Sequence, residues 1–256
     1  MKCIDDLVQW AELRKTDYNS GSLGFVPTMG ALHKGHLSLI DRSIKENDFT
    51  VISIFLNPTQ FNNPEDYQTY PRTFESDKNL LEKKDVDVLL YPVYGQMYPD
   101  AYKYKVLESE FSRQLCGRHR SGHFDGVLTV VLKLLNLVQA RYAYFGEKDY
   151  QQYLLVKGMT KTFFLDTEIV PCPTIREPDG LAYSSRNRSL SPEDRQKAPL
   201  FYSLLKSELD MERIIVELKA AEFIVDYIEE IGNRRYGAVY LGDVRLIDNV
   251  IREDSI

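Results

Sequence analysis

The chain has 256 residues, 43% of them hydrophobic, enough for one large domain or two of ordinary size with a proper buried core. Charged residues are plentiful and nearly balanced, and a formal net charge of −6 gives no general electrostatic case for nucleic-acid binding, leaving only local basic clusters. No stretch approaches the length of a membrane span, and three scattered cysteines, Cys3, Cys116 and Cys172, argue against a disulfide framework and for a reducing, cytoplasmic setting.

The amino-terminal MKCIDDLVQWAELRK carries acids and a Trp within its apolar periodicity and reads as an amphipathic helix, not a secretion signal. Leu23 to Val26 is a short β-branched and aromatic run that meets Pro27, a residue that can end a strand but not continue a central one. A loop with Gly30 and Gly35 follows, and an amphipathic helix resumes at His36. His33 and His36, three apart at the helix entrance, can face one pocket together with the helix's first free N–H groups, an arrangement suited to an anion such as a nucleotide phosphate. The plainer alternative is that one imidazole caps the helix and the other is a surface residue.

Further apolar runs at Val51 to Leu56, Val86 to Tyr91 and Tyr142 to Phe145 alternate with helical patterns at His36 to Lys45, Thr73 to Lys84 and Gly126 to Gln139. Alternating strands and helices imply right-handed crossovers and a doubly wound, largely parallel α/β sheet of Rossmann-like type, with ligands beyond the carboxyl ends of the strands. The polar oddities fall there. Asn57 and Gln60 follow Leu56; Gly146, Glu147, Lys148 and Asp149 follow Phe145, with Gln152 on the next helix. Lys148 offers a positive charge to phosphate, and Asp149 could help bind magnesium or cap the helix.

Between Gly117 and Val127 the loop GRHRSGHFDGV brings Arg118, Arg120 and His123 near a helix start as a second anion-friendly element. Cys116, His119 and His123 could supply three zinc ligands, but a fourth is missing and the spacing fits no finger, so Cys116 is expected as a buried apolar group. Near Pro171 the alternation breaks. Asp179 and Gly180 suggest a hairpin turn between Ile175 and Leu181, Ser184, Ser185 and Arg186 lie on a polar loop, and Ser191-Pro192-Glu193-Asp194 is a strong helix start. The expected division is a Rossmann-like domain over 1–174 and a smaller α+β domain of helices and a short sheet over 175–256.

The spacing of His33 and His36 resembles the HxGH signature of the adenylyl-transferring superfamily. The ordered set VPTMGALHKGH, NPTQF, YPRTFESD, GHFDGV, YFGEKDYQQ, TIREPDGLAYSSRN and VRLIDN resembles, over most of the chain, the pantothenate synthetase family, ligases that join pantoate to β-alanine using ATP. The resemblance implies ATP contacts from Met29, Gly30, Ala31, Leu32, His33, Lys34, Gly35 and His36, from Gly146, Glu147, Lys148 and Asp149, and from Ile175, Tyr183, Ser184, Ser185 and Arg186. It implies catalytic roles for His36, His33, Lys148 and Arg186, pantoate contacts from Gln60, Gln152 and Asn57, β-alanine bordered by Gln60, Mg²⁺ beside Asp149, and a homodimer without nucleic-acid or membrane partners. In two places the chain departs from the family pattern: Tyr183 stands where many relatives carry Met, and the region from Leu200 to Val250 is shorter than the resemblance leads one to expect.

Overall fold

Short runs in which nearly every residue is apolar suit strands buried on both faces, and the computed structural model, which describes residues 1–252, contains four such strands at the centre of a six-stranded parallel sheet. In chain order the first unit runs β1 (Lys2–Ile4), α1 (Leu7–Thr16), β2 (Leu23–Thr28), α2 (Lys34–Glu46), β3 (Phe49–Ile54), α3 (Pro64–Thr69), α4 (Phe74–Glu82), β4 (Val88–Leu90) and α5 (Tyr94–Met97). It continues through α6 (Cys116–His119), α7 (His123–Val138), β5 (Tyr142–Gly146), α8 (Tyr150–Thr162) and β6 (Glu168–Cys172). The strand order is β1-β4-β3-β2-β5-β6, so the winding reverses between β2 and β5.

The period of two along each strand divides the sheet's side chains between two cores. Phe25, Val51, Val88, Leu90 and Phe145 pack on the face covered by α1, α7 and α8, whereas Val26, Ile52, Leu89 and Tyr144 meet α2 and α4 on the other. Trp10 locks α1 to the end of α7 by donating its indole N–H to the Leu137 carbonyl at 2.8 Å.

Three readings from sequence are corrected here. Lys2–Ile4 is an edge strand in parallel register with Val88–Leu90, not the start of the first helix, and three residues are too few to show a period. Pro27 does lie inside central β2, opposite Ser53. The Leu23 carbonyl faces β5 and that of Thr28 faces the β3 side, so by alternation the missing N–H of Pro27 points to β5, where pairing already stops at Phe25. Pro171 likewise sits within β6, an edge strand, where an imino residue is tolerated.

The remainder forms α9 (Pro192–Lys197), α10 (Pro199–Lys206), α11 (Met211–Ala220) and a separate antiparallel sheet of β7 (Ile224–Ile231), β8 (Arg234–Leu241) and β9 (Val244–Ile251). Ser191 caps α9 as its sequence predicts, accepting from the Asp194 N–H, with Pro192 at the first helical position. Phe201, Leu205, Ile214 and Leu218 fill the space under Ile228, Val239 and Leu241, while Tyr227, Tyr236 and Ala238 join the core of the larger sheet. The Asp179-Gly180 turn forms, with Gly180 at φ +94° and an antiparallel bridge between Arg176 and Ala182. Among the described residues no helix is long and apolar enough to cross a membrane.

Candidate active site

Beyond the carboxyl ends of β2 and β5 the sheet opens into a cleft of two connected chambers, an inner one of about 230 Å³ and an outer one of about 1000 Å³. Met29, Gln60, Lys148, Asp149, Gln152, Ser184 and Arg186 border both. His33, Gly35, His36, Asn57, Gly146, Ile175, Tyr183 and Ser185 border the inner chamber, whose apolar wall comes from Val127, Val130, Val131 and Leu134 on α7. The paired imidazoles and the Ser184-Ser185-Arg186 turn therefore share one cleft.

Helix α2 begins at Lys34 with His33 as its cap, His33 Nδ1 accepting from the Gly35 N–H at 3.1 Å. The ring nevertheless faces the cleft, its centroid 4.0 Å from that of His36 and 6.3 Å from Tyr183, nearly parallel to the latter. Capping and site membership are thus the same conformation. Burial lowers the pKa of His33 to about 2, helped by His36 and Lys148, and burial lowers His36 to about 4 against the opposing pull of Asp149. Both rings are neutral near pH 7. His36 Nδ1 is buried with no hydrogen-bond partner in the protein, the state of a group that awaits a ligand.

Gly30, Ala31, Leu32, Lys34 and Glu147, expected among the nucleotide contacts, do not border either chamber. The buried Asp77 of α4 accepts from the N–H groups of Ala31 and Leu32, both at 2.8 Å, and from the Thr73 hydroxyl at 3.0 Å. That carboxylate fixes a loop in which Gly30 and Ala31 both have positive φ, so these residues shape the cleft and their donors are already used. Lys34 is exposed, its ammonium 5.6 Å from the Tyr183 ring. Glu147 contributes its carbonyl to Asn249.

Asn57 is fully buried and fully committed. Its amide donates to Gln60 Oε1 at 3.0 Å and to the Gly126 carbonyl at 3.2 Å, and its oxygen accepts from Thr59 and Tyr98. It therefore positions Gln60 while bordering the inner chamber, with both hydrogens of its amide engaged inside the protein. Gln60 also points its amide nitrogen at Met29 Sδ, and its backbone carbonyl accepts from His123 Nδ1 at 2.7 Å. Asp149 stands at the cap position of α8, yet its side chain makes no cap bond and lies 3.7 Å from Lys148.

On the far wall, Arg186 is held by Asp66 of α3 through two hydrogen bonds of 2.9 and 3.2 Å, and Ser185 meets the buried Tyr70 hydroxyl at 3.1 Å. Asn249 on β9 donates to the carbonyls of Glu147 and Lys148, both at 2.9 Å, tying the second sheet to the turn that carries Lys148. Its neighbour Asp248 forms a two-pronged ion pair with Arg176, which stacks over Tyr202 at 3.6 Å. Asp66 carries no signal in the sequence, and Tyr70 and Asp77 lie in the YPRTFESD segment with no role legible there, because nothing local marks a side chain on one element as the partner of a loop 45 or more residues away. Cys116 is buried as expected, in contact with Tyr227 and Arg245, while His119 faces Asp226 and His123 faces the Gln60 carbonyl and Arg120, so the three residues weighed as zinc ligands are turned to separate partners.

A doubly wound α/β enzyme with a small-molecule cleft at the switch point, lined by neutral imidazoles, cations and amides, is the class this fold and site define. The family model described as Pantoate-beta-alanine ligase matches residues 1–251, and the chain belongs to that family of ligases. Pantothenate synthetase of Bdellovibrio bacteriovorus is 55% identical over 231 residues, 90% of this chain and 92% of that one. Pantothenate synthetase of Legionella pneumophila (strain Lens) is 49% identical over 98% of this chain and 100% of its own length. The crystal structure of pantoate-beta-alanine ligase from Francisella tularensis complexed with beta-gamma ATP and beta-alanine superposes with a TM-score of 0.94 at 44% identity, covering 98% of this chain and 97% of that one. The carboxyl-terminal region expected to be short is therefore of ordinary length among these relatives.

Proposed function

We propose that the protein condenses pantoate with β-alanine in two steps at the expense of ATP. A pantoate carboxylate oxygen attacks the α-phosphorus, the bond to the β-phosphate oxygen breaks, and pyrophosphate leaves; the β-alanine amine then attacks the acyl carbon of pantoyl adenylate, the anhydride C–O bond breaks, the nitrogen gives up a proton and AMP departs. No protein nucleophile is needed, so the rate comes from placement and charge stabilisation.

The observation that carries this reading is the position of Gln60 and Gln152, two amides bordering both chambers beside Lys148 and the imidazole pair. Gln60 and Gln152 would hold pantoate's oxygens, with Gln60 also next to the amine. Lys148 and Arg186 would take up charge on the phosphates, Arg186 through the guanidinium donors that its bonds to Asp66 leave free. His36, neutral when the cleft is free, would donate a hydrogen bond to a phosphate oxygen, and His33 would orient it. Asp149, whose carboxylate is not spent on the helix, would hold Mg²⁺, which would supply neutralisation of phosphate charge. Residues 175–256 would act as a lid over the 1–174 unit, excluding water from the mixed anhydride, with Asn249 and the 184–186 turn as its points of contact. A homodimer in the cytoplasm accords with the family resemblance and with three unpaired cysteines.

AMP formation that requires both pantoate and β-alanine, together with pantoate-dependent exchange of labelled pyrophosphate into ATP, is the expected result. Exchange that proceeds without pantoate would instead mark a nucleotidylyltransferase and end this proposal.

A further inference from the structure

Outside the residues assigned above, the outer chamber holds one cation whose surroundings do not balance it. Three guanidiniums, of Arg120, Arg186 and Arg245, line this chamber. Arg186 has Asp66 at 2.9 Å and Arg245 has Asp226 at 2.8 Å. Arg120 has only that same Asp66, at 4.0 Å, although its side chain is 18% exposed. Its remaining partners are neutral. One N–H points to His123 Nε2 at 3.2 Å and another makes a long contact of 3.4 Å to the Gln60 carbonyl. A carbonyl can only accept, so the 2.7 Å contact from His123 Nδ1 to the same Gln60 oxygen puts the imidazole proton on Nδ1 and leaves Nε2 as the acceptor for Arg120. Burial, with Arg186 and Arg245 nearby, lowers the Arg120 pKa to about 10, and burial with the adjacent Arg120 drives that of His123 well down, so the ring supplies no charge. A guanidinium has five N–H donors, and a buried one lacking a close carboxylate is costly unless an anion joins it.

The position of this surplus charge narrows what the anion is. His33 and His36 border only the inner chamber, Arg120 and His123 only the outer one, and Gln60 lies on the boundary between them. A carboxylate bound for the α-phosphorus must lie on the imidazole side. The amine that attacks the resulting acyl carbon arrives at Gln60 from the opposite side, its own carboxylate trailing outward. We infer that Arg120, oriented by His123, receives the carboxylate of the amino-acid substrate in the outer chamber, so that it selects a β-amino acid over an uncharged amine. The assignment rests on the ligase reading above and adds to it a residue that decides which amine is accepted.

The test separates the two half-reactions in the full-length protein. Arg120→Gln should raise KM for β-alanine about 10- to 100-fold, the factor that loss of a charge-assisted hydrogen-bond pair gives, while pantoate-dependent pyrophosphate exchange stays within about threefold of native. Arg120→Lys, which keeps the charge but loses the fork, should fall between. Retained exchange with an unchanged β-alanine KM overturns the assignment, as does an equal loss in both half-reactions. Absence of exchange in the native protein overturns the ligase reading and this assignment with it. A measurement needing no variant completes the set: 3-aminopropanamide, which lacks the carboxylate charge, should show a KM 10- to 100-fold above that of β-alanine with the native protein, and equal values would overturn the inference.

Discussion

Gly126, in the first turn of α7, presses directly on the turn that carries Gln60. A Cβ placed there would stand 2.4 Å from the Thr59 carbonyl oxygen and 2.7 Å from the Gln60 nitrogen, both backbone atoms with no flexible end to yield. Ordinary contact requires the 58–60 turn to move away from α7 by about 1 Å, and the hydrogen bond from Asn57 to the Gly126 carbonyl moves with it. Overpacking of this kind costs about 1–3 kcal/mol, offset by the roughly 1 kcal/mol that alanine contributes over glycine within a helix. Gly126→Ala should therefore lose at most about 2 kcal/mol of stability, yet displacing by about 1 Å the amide proposed above to hold pantoate should lower kcat/KM for pantoate about 100-fold. Urea denaturation and steady-state AMP formation with pantoate varied test the two halves together. Native-like kcat/KM for pantoate in a folded Gly126→Ala protein would refute the claim that this backbone contact sets the position of Gln60.

His36→Ala should reduce pantoate-dependent pyrophosphate exchange about 100- to 1000-fold, the range for loss of one preorganised donor, with an unchanged urea midpoint as control; exchange near the native rate would remove His36 from the phosphate site. Asn249→Ala strips two carbonyls of the Lys148 turn of their donor and leaves Arg234 without its oxygen partner, so it should cost about 1–3 kcal/mol and lower kcat as well, checked by thermal unfolding beside turnover. Falling pH should weaken the fold between about 6.5 and 4, because imidazoles in the unfolded chain take up protons there while His36 resists to about 4 and His33 to about 2, so the unfolded state binds more protons. The decrease in unfolding free energy from pH 7.5 to 5 should be smaller in His33→Asn by about 1–2 kcal/mol; equal decreases would contradict neutral buried rings.

Much of this arrangement was legible in short stretches of chain. A strand followed by HKGH, or by GEKD and then a helix, places its polar residues at the end of the strand that precedes them, because strand, turn and helix start are fixed by neighbours a few residues apart. The alternation of Phe25 with Val26 and of Val51 with Ile52 specified a sheet covered on both faces. Other features misled for the same local reason. Pro27 and Pro171 read as strand breakers, since only the opening of the ladder beyond Phe25, and the edge position of β6, show where a missing N–H is harmless.

Sequence by itself determined the parallel α/β class, the paired imidazoles at a helix entrance, and the family to which the ordered motifs belong, because periodicity and turn chemistry act over a few residues. Tertiary structure alone decided which groups were already spent: Asp77 occupies the N–H groups of Ala31 and Leu32, Asn57 is consumed in holding Gln60, and Asp66 keeps Arg186 while leaving Arg120 short of a counter-ion. Those pairings join residues tens of positions apart. A hydrogen bond or ion pair exists only once folding has brought both partners within about 3 Å, and no local pattern encodes that distance.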